Sequence, residues 1–215
     1  RSTQGYSSAA SVVYKRQVTD GVVTEIPREE FDGITSSANT EQSSGEPAGS
    51  GVASAATDGD SSTYWHSQWS GFTVSKENPA ILTVDLGKEM SIGGFKFQQR
   101  PGTNNGIVYK YHYEAFDAAG EKVASSDTIS VDNAQRAGGQ WITSLFESVA
   151  NVKTIKIYVE EGKGNFAAIA EVVPLRIQKV ADSATLDDVT IKVGEKVRLE
   201  AKHNCLLYTS PSPRD

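Results

Sequence analysis

Alternation of apolar and polar residues defines most of the regular structure that the sequence predicts. Residues 80–87 (AILTVDLG) alternate with a period of two and end at a glycine, which is typical of a half-buried strand. Further strands are predicted at residues 92–99, 107–116, 128–131, 154–159 and 168–177. No segment keeps a helical period for more than about one turn. Short strands joined by Gly- and Asn-rich turns predict an all-β fold, an antiparallel β-sandwich.

Two stretches before the first predicted strand have the composition of loops. Residues 18–30 are charged and contain Pro27, so we interpret them as a linker. Residues 34–57 are rich in Ser, Gly, Ala, Thr and Asn, which favours a surface loop. This second stretch leads directly into the most informative motif of the chain, at residues 56–69.

Both ends of the chain match translated sequencing adapter. Residues 205–215 read CLLYTSPSPRD, which back-translates into a transposon-based adapter read in frame. Residues 7–17 fit the other adapter in the same way, except at Val12, where the adapter codon gives Asp. We therefore interpret residues 1–17 and 205–215 as adapter and exclude them from reasoning about the fold. The single cysteine, Cys205, is excluded with them, so no disulfide or thiol chemistry is expected.

Charge and hydropathy exclude two classes of partner. The chain has 21 Lys+Arg and 27 Asp+Glu among 215 residues, a net charge of −6. The charged residues of the adapter segments are Arg1, Lys15, Arg16, Arg214 and Asp215. Without them, 17 basic and 26 acidic residues remain and the charge is −9. An acidic chain without a basic stripe argues against a nucleic-acid partner. No run approaches the ~18–20 apolar residues of a membrane helix, so membrane insertion is not expected.

Residues 56–69 (ATDGDSSTYWHSQW) contain the densest group of candidate functional residues. Asp58 and Asp60 flank a glycine, and hydroxyl-bearing residues follow directly. Carboxylate, hydroxyl and carbonyl oxygens in one tight turn are the ligands that a hard cation such as Ca²⁺ prefers. The spacing is not that of an EF-hand loop, and an Asp-Gly turn without any metal is the alternative interpretation.

The order of motifs along the chain resembles a known family. These motifs are Asn39, Asp58-Gly59-Asp60, Thr63-Tyr64-Trp65-His66-Ser67, the sequence LTVDLG at residues 82–87, Arg100 and Ala170-Glu171. Over residues 31–178 the chain resembles the F5/8 type C (discoidin) domain, in particular the bacterial family 32 carbohydrate-binding modules. The resemblance implies a jelly-roll β-sandwich of the galactose-binding type, usually with one structural Ca²⁺.

The same resemblance implies the ligands of that ion. Asp58 and Thr63 are expected to coordinate it, with a side-chain or carbonyl oxygen from Asp60. Glu171, near the end of the domain, is expected to complete the coordination sphere. One ion at this place would tie the first loop to the last strand in a domain without disulfides.

A sugar site at one end of the sandwich is the second implication of the resemblance. Family members place a His after the loop Trp, an Arg at a strand end, an Asn five residues later and an aromatic residue in a late loop. Arg, His and Asn can share hydrogen bonds with sugar hydroxyls, and an aromatic face packs on the apolar side of a pyranose. The expected ligand is a glycan that ends in a galactose-like or N-acetylhexosamine-type residue. The matching residues are His66, Arg100, Asn105 and Phe166, with Trp69 as a further platform candidate.

Structural interpretations of these residues stay open. His66 taken alone is more often structural, and Asn105 belongs to an Asn-Asn-Gly sequence that predicts a hairpin turn without a ligand. Arg100 precedes a proline and could be a solvated strand end, whereas Phe166 could fill the core.

The three tryptophans divide between core and surface in this interpretation. Trp65, inside the loop motif, is expected in the core. Trp69 and Trp141 are candidate platforms for a sugar ring, and core packing is the competing role for at least one of them.

Residues 179–204 differ in character from the rest. The sequences Val193-Gly194-Glu195 and Leu199-Glu200-Ala201 resemble the first strands of a bacterial Ig-like domain, which would be truncated here. Such an order of modules implies a surface or secreted protein. We therefore expect an extracellular, cell-surface or periplasmic location and other domains of the parent chain as partners. The chain begins without Met and without signal-peptide features, so we treat it as a fragment.

Three classes of function compete. The first is a non-catalytic carbohydrate-binding module of a larger bacterial surface or secreted protein, accessory to a glycoside hydrolase. The second is a protein-adhesion or structural β-sandwich without sugar binding, attached to a catalytic domain elsewhere in the parent chain. The third is an enzyme, which needs a nucleophile with a base or two facing carboxylates. Metal ligation competes for Asp58 and Asp60, so no catalytic residues are expected in this domain.

Overall fold

The computed structural model of the protein describes residues 21–102 and 105–179. Nine strands are present in this part: β1 (Gly21–Glu25), β2 (Thr35–Ala38), β3 (Trp65–His66), β4 (Ala80–Gln99), β5 (Val108–Phe116), β6 (Lys122–Ser125), β7 (Ile129–Ser130), β8 (Trp141–Gly162) and β9 (Ala168–Lys179). Short 3-10 turns lie at Arg28–Glu30, Ala53–Thr57, Asn133–Gln135 and Lys163–Asn165. Between residues 21 and 179 as described, no helix is long and apolar enough to cross a membrane. Both predicted adapters and, beyond residue 179, the predicted Ig-like segment lie outside the described residues.

The strands form two antiparallel layers that share β4 and β8. Hydrogen-bonded neighbours follow the order β1-β9-β4-β8-β5-β6, with β2 beside β4, β3 beside β9 and β7 beside β5. The first half of β4 pairs with β2 and with the second half of β8. Register shifts then occur between Asp85 and Met90 and between Ile92 and Gly94. After them, β4 pairs with the first half of β8 and with β9, so these bulges allow the two long strands to enter both layers.

Aromatic side chains join the two layers in the core. Phe95 and Phe97 of β4 are fully buried, and their ring centroids lie 5.3 Å from that of Tyr113 and 5.1 Å from that of Tyr111, respectively. Both pairs meet edge to face, and each such pair adds ~0.5–1.5 kcal/mol beyond the burial of its area. The antiparallel β-sandwich predicted from the sequence is confirmed.

The two strands predicted on either side of Gly87 are one continuous strand, β4. Alternate residues from Ala80 to Leu86 are fully buried, as the period of two predicts. Gly87 does not end the strand. Its φ is +77°, and a Cβ at this position would overlap the carbonyl oxygen of Asp32. The glycine is therefore required by a close backbone approach at a bulge.

The segment interpreted as a linker is part of the sheet from Gly21 onward, which corrects that expectation. β1 pairs with β9 over its whole length, and Ile26 is buried. Val22 and Val23 are exposed, so β1 lacks the alternation that reveals a half-buried strand. β2 likewise lies in the stretch interpreted as a surface loop, where it pairs with β4. Pairing with distant strands, rather than local pattern, determines both elements.

Candidate functional site

Loops from distant parts of the chain meet at one end of the sandwich. β3 ends at His66 and pairs with β9 beside the loop that carries Phe166. Arg100 follows β4 directly, and Asn105 lies in the turn before β5. Gly106, which follows Asn105, donates from its N–H to a carbonyl oxygen in the β8–β9 connection at 2.8 Å. Its own carbonyl oxygen accepts from the first N–H of β9 at 2.9 Å. These bonds hold the turn against the loop of Phe166.

The five residues predicted for sugar binding form one cluster. Arg100 Nη1 donates to Asn105 Oδ1 at 3.1 Å and to the carbonyl oxygen of the same residue at 3.3 Å. His66 Nε2 lies 3.4 Å from that Oδ1. The ring centroids of Phe166 and Trp69 lie 5.4 and 6.5 Å from the His66 ring. The structure therefore brings all five together, while their contact with a ligand stays a prediction.

Two residues outside that prediction, Glu46 and Tyr64, complete the cluster. The Tyr64 hydroxyl donates to Glu46 Oε2 at 2.7 Å and accepts from Arg100 Nη2 at 2.7 Å. The Arg100 guanidinium carbon lies 4.1 Å from the centre of the Tyr64 ring. Trp69 Nε1 donates to Glu46 Oε1 at 3.1 Å. Glu46 thus connects Trp69 to Arg100 through Tyr64.

Sequence signals for these two residues are weak. Glu46 is one of two acidic residues in the otherwise uncharged stretch 34–57, which is the only feature that sets it apart. Tyr64 lies between Thr63 and Trp65, and these flanking residues carried the recognised motif. Their roles depend on how the loops close over one another, which local sequence does not encode.

The polar base of the cluster is buried, whereas its aromatic rim reaches solvent. His66 is fully buried, and Arg100 and Tyr64 are only 6% and 4% exposed. Trp69 is 45% exposed. A ligand that approaches this end of the domain therefore meets the indole first, and the arginine and histidine lie beneath.

The other two tryptophans have different positions. Trp65 is fully buried and donates from Nε1 to the carbonyl oxygen of Thr40 at 2.8 Å, so its predicted place in the core is confirmed. Trp141 pairs with Gln98 on the outward face of β8, where the Lys96 ammonium lies 4.0 Å from the centre of its ring.

Burial determines the charge of the cluster. It lowers the pKa of His66, and the carbonyl oxygen of Ser67 and the charge of Glu46 oppose this shift only in part. Burial, aided by the hydrogen bond to Glu46, raises the pKa of Tyr64 to about 12. At neutral pH the cluster therefore holds one carboxylate, one guanidinium and a neutral imidazole. A site of balanced charge suits an uncharged polar ligand.

The residues predicted to bind Ca²⁺ lie together at a neighbouring place. Thr63 Oγ1 lies 2.7 Å from Asp58 Oδ2 and 2.9 Å from the carbonyl oxygen of Asp60. The Gly59 N–H donates to Glu171 Oε2 at 2.9 Å, which joins the acidic turn to β9. The predicted proximity of the first loop and the last strand is therefore present in the structure.

Glu171 gives the strongest indication that this arrangement fits a cation. It is 7% exposed, and burial raises the pKa of its carboxyl to about 7, with a smaller contribution from the negative charge of Asp58. A divalent ion beside both carboxylates would favour their ionised forms. Hydroxyl and carbonyl oxygens at Thr63 and Asp60 are further donors of the kind that Ca²⁺ takes.

The Asp60 side chain does not belong to this set. Its Oδ1 accepts from the Ser62 N–H at 2.9 Å and from the Ser62 hydroxyl at 2.6 Å, which lowers the pKa of the carboxyl. The carboxylate is thus directed into its own turn, and only the carbonyl oxygen of Asp60 is placed near Thr63. Among the described residues, no group of three or more His, Cys, Asp or Glu side chains is arranged to hold a metal. Carbonyl and hydroxyl oxygens would therefore have to supply much of the coordination.

The sequence profile of the F5/8 type C domain matches residues 34–172, which is more than half of the chain. The chain belongs to the F5/8 type C domain family. The matched range falls within the predicted domain of residues 31–178, and the sheet of this F5/8 type C domain also includes β1, which precedes the match.

Solved structures from Clostridium perfringens resemble this F5/8 type C domain. The family 32 CBM of NanJ, solved in complex with galactose, is 28% identical over 72% of this chain and 100% of its own, with a TM-score of 0.58. CpGH89CBM32-5, in complex with GalNAc-β-1,3-galactose, is 23% identical over 70% and 99%, also with a TM-score of 0.58. CBM32-1 from a family 31 glycoside hydrolase is 24% identical over 69% and 99%, with a TM-score of 0.52.

Proposed function

We propose that this F5/8 type C domain is a non-catalytic carbohydrate-binding module that binds terminal galactose-like or N-acetylhexosamine-type residues of glycans. The observation that carries the proposal is the convergence of His66, Arg100 and Asn105 beneath the exposed indole of Trp69. A galactose complex of the NanJ module, the relative with 28% identity, supports the choice of sugar.

The chemistry of the cluster suits one pyranose ring. The Trp69 indole offers an apolar surface for the C–H groups of a sugar. Asn105 offers both a donor and an acceptor, and the Glu46 carboxylate beside the indole offers acceptors for hydroxyl groups. Arg100 donates from Nη1 to Asn105 and from Nη2 to Tyr64, so it holds both residues in place beneath the indole.

Calorimetric titration of galactose and N-acetylgalactosamine into the whole chain tests this function. We expect binding that weakens about tenfold in Trp69→Ala, since loss of the indole platform removes roughly 1–1.5 kcal/mol. Trp141→Ala is the matched control because it removes the same side chain from the outward face of β8, and it should bind as the wild type does. Absence of binding to both sugars, or equal affinity of Trp69→Ala and wild type, would reject the function.

A structural Ca²⁺ ion is the second part of the proposal. Asp58, Thr63 and Glu171 would hold it through side-chain oxygens, and Asp60 through its carbonyl oxygen. The raised pKa of Glu171 supports this, because a buried carboxyl beside a second carboxylate is destabilised until a cation compensates it. The ion would supply a link between the acidic turn and β9, next to β3 and the sugar cluster.

The parent protein is proposed to be an extracellular or surface protein of a bacterium, with this module accessory to a glycoside hydrolase. Support comes from the similar module that belongs to a family 31 glycoside hydrolase of Clostridium perfringens. Tethering a catalytic domain to its glycan raises the effective substrate concentration, even where a single site binds weakly.

A further inference from the structure

The hydrogen bonds around His66 determine which ring nitrogen carries its proton. Nδ1 lies 2.6 Å from the carbonyl oxygen of Ser67. A carbonyl oxygen can only accept, so Nδ1 must carry the hydrogen. The buried imidazole is neutral at neutral pH, because burial lowers its pKa. Nε2 then has a lone pair and no hydrogen.

Nε2 faces a second acceptor, the side-chain oxygen of Asn105. Arg100 Nη1 lies 3.1 Å from Asn105 Oδ1, and because a guanidinium only donates, the oxygen rather than the nitrogen of the amide faces Arg100. The same Oδ1 lies 3.4 Å from Nε2 of His66. Two acceptors without a hydrogen between them do not bond. With neutral His66, Asn105 Oδ1 is therefore held by Arg100 alone and keeps a lone pair for another donor.

One added proton changes this arrangement. A protonated imidazole donates from both nitrogens, so Nε2–H can bond to Asn105 Oδ1 while Nδ1–H keeps the Ser67 carbonyl. Two charged groups face the ring: Glu46 Oε1, 3.9 Å from Nδ1, favours the proton, and Arg100 disfavours it. Tyr64, whose ring centroid is 6.5 Å away, has a pKa of about 12 and stays neutral. Asn105 is then tied to both Arg100 and His66.

We propose that His66 is a proton switch in the sugar site, which leaves Asn105 available to a glycan hydroxyl when neutral and withdraws it when protonated. The inference rests on the proposed function, since Asn105 is one of the residues proposed to bind the sugar. A ligand hydroxyl that donates to Oδ1 competes with the Nε2–H of protonated His66 for the same oxygen. Glycan binding and proton binding therefore oppose each other, and protonation of His66 weakens glycan binding.

Two measurements on the whole chain test the switch. Calorimetric titration of galactose between pH 5 and 8 should give a Kd that rises as the pH falls, towards about tenfold per pH unit below the pKa of His66, which is the limit for one exchanged proton. ¹⁵N NMR of the histidine rings should show neutral His66 with hydrogen on Nδ1. Its ring signals should titrate at the midpoint of the affinity profile, and saturating galactose should lower that midpoint.

His112→Gln provides the matched control. His112 contacts its own carboxylate, Glu160 Oε1, at 2.5 Å and stacks on Tyr158, on the face where β5 pairs with β8. This variant should keep the pH dependence of the wild type. The chain has three histidines, so comparison of the wild-type NMR spectrum with those of His112→Gln and His203→Gln assigns the His66 signals.

The outcomes separate the switch from the function on which it rests. Galactose affinity that is constant from pH 5 to 8, or neutral His66 with hydrogen on Nε2, overturns the switch and leaves the proposed function standing. A pH dependence that disappears in His112→Gln, or whose midpoint differs from that of His66, also overturns it. Absence of binding to both galactose and N-acetylgalactosamine at every pH overturns the function and the switch together.

Discussion

Replacement of Tyr64 by Phe removes one oxygen atom, the hydroxyl that links Glu46 to Arg100 in the sugar cluster. The ring stays, so the stacking of Arg100 is kept. The variant loses the 2.7 Å hydrogen bond from the hydroxyl to Glu46 and the 2.7 Å bond that the hydroxyl accepts from Arg100. Both partners of the hydroxyl are charged. The side chain of Glu46 and the whole of Arg100 are each only 6% exposed, so water does not readily replace the lost hydrogen bonds.

The magnitude follows from these two bonds. A hydrogen bond to a charged group contributes about 1.5–3 kcal/mol, and Glu46 and Arg100 each keep other partners, so the lower end applies to both. We expect a loss of about 3 kcal/mol in the free energy of unfolding. For a domain of this size that corresponds to a fall in Tm of roughly 6–12 °C. Galactose affinity should fall as well, because Trp69 and Arg100 lose their common support.

Tyr158→Phe is the matched control for this substitution. The Tyr158 hydroxyl donates to Glu114 at 2.8 Å, but Glu114 also forms an ion pair with Lys122. Tyr158 is less buried than Tyr64. We expect a loss of at most about 1 kcal/mol and unchanged galactose affinity. Urea unfolding of the wild type and the two variants at pH 7 measures both losses of stability, and calorimetric titration measures galactose affinity. If Tyr64→Phe is no less stable than Tyr158→Phe, the buried network does not support the site as described.

Three further predictions concern the metal site and the backbone of the sugar cluster. Chelation with EDTA should lower the Tm of the chain purified with Ca²⁺, and an unchanged melting curve would remove the Ca²⁺ proposal. In EDTA the pKa of Glu171 is raised from 4.5 to about 7 by burial, so the stability that this carboxyl contributes is full below pH 4.5 and is lost as the pH rises through 7. In EDTA, Glu171→Gln should therefore be more stable than the wild type by roughly 1–3 kcal/mol at pH 8 and equal to it near pH 4. In excess Ca²⁺ at pH 8 the wild type should be the more stable protein. If the same protein is the more stable one at pH 8 with and without Ca²⁺, the metal site is contradicted. Gly106→Ala should destabilise the domain and weaken galactose binding, because the φ of Gly106 is +85° and the new Cβ would lie 2.8 Å from the Ala168 Cβ and 3.2 Å from His66 Nε2. Gly71→Ala, at φ +80° in open space, is the control for backbone strain alone. Equal unfolding curves of the two variants would contradict the prediction.

The fold was predictable where one face of a strand is buried. The alternation from Ala80 to Leu86 and the paired aromatics Phe95 and Phe97 are visible in the sequence, and both sets are buried in the core. β1 was not predictable, because Val22 and other side chains on it face solvent and its strand conformation comes from pairing with β9. The strand end predicted at Gly87 was wrong for a related reason. A glycine that allows a close backbone approach within a strand looks the same in the local sequence as a glycine that ends a strand.

The site was predictable only as far as its residues belong to family motifs. His66, Arg100 and Asn105 were selected by resemblance, and the structure brings both His66 and Arg100 within hydrogen-bond distance of Asn105. Glu46 and Tyr64 were missed because their roles arise from contacts between loops that are far apart in sequence. Burial was also not predictable, since nothing local shows that His66 lies beneath the turn of Asn105.

The indole N–H resonances of the three tryptophans measure the central claim most directly. Trp69 Nε1–H donates to Glu46 at the rim of the cluster, whereas Trp141 lies on the outward face of β8. In a ¹H–¹⁵N NMR titration of the whole chain with galactose, assigned with single Trp→Phe variants, we expect the Trp69 signal to shift in a saturable manner and the Trp141 signal to remain in place. A Trp69 signal that does not move at millimolar galactose, or a saturable shift of Trp141 alone, would contradict a sugar site at this end of the sandwich.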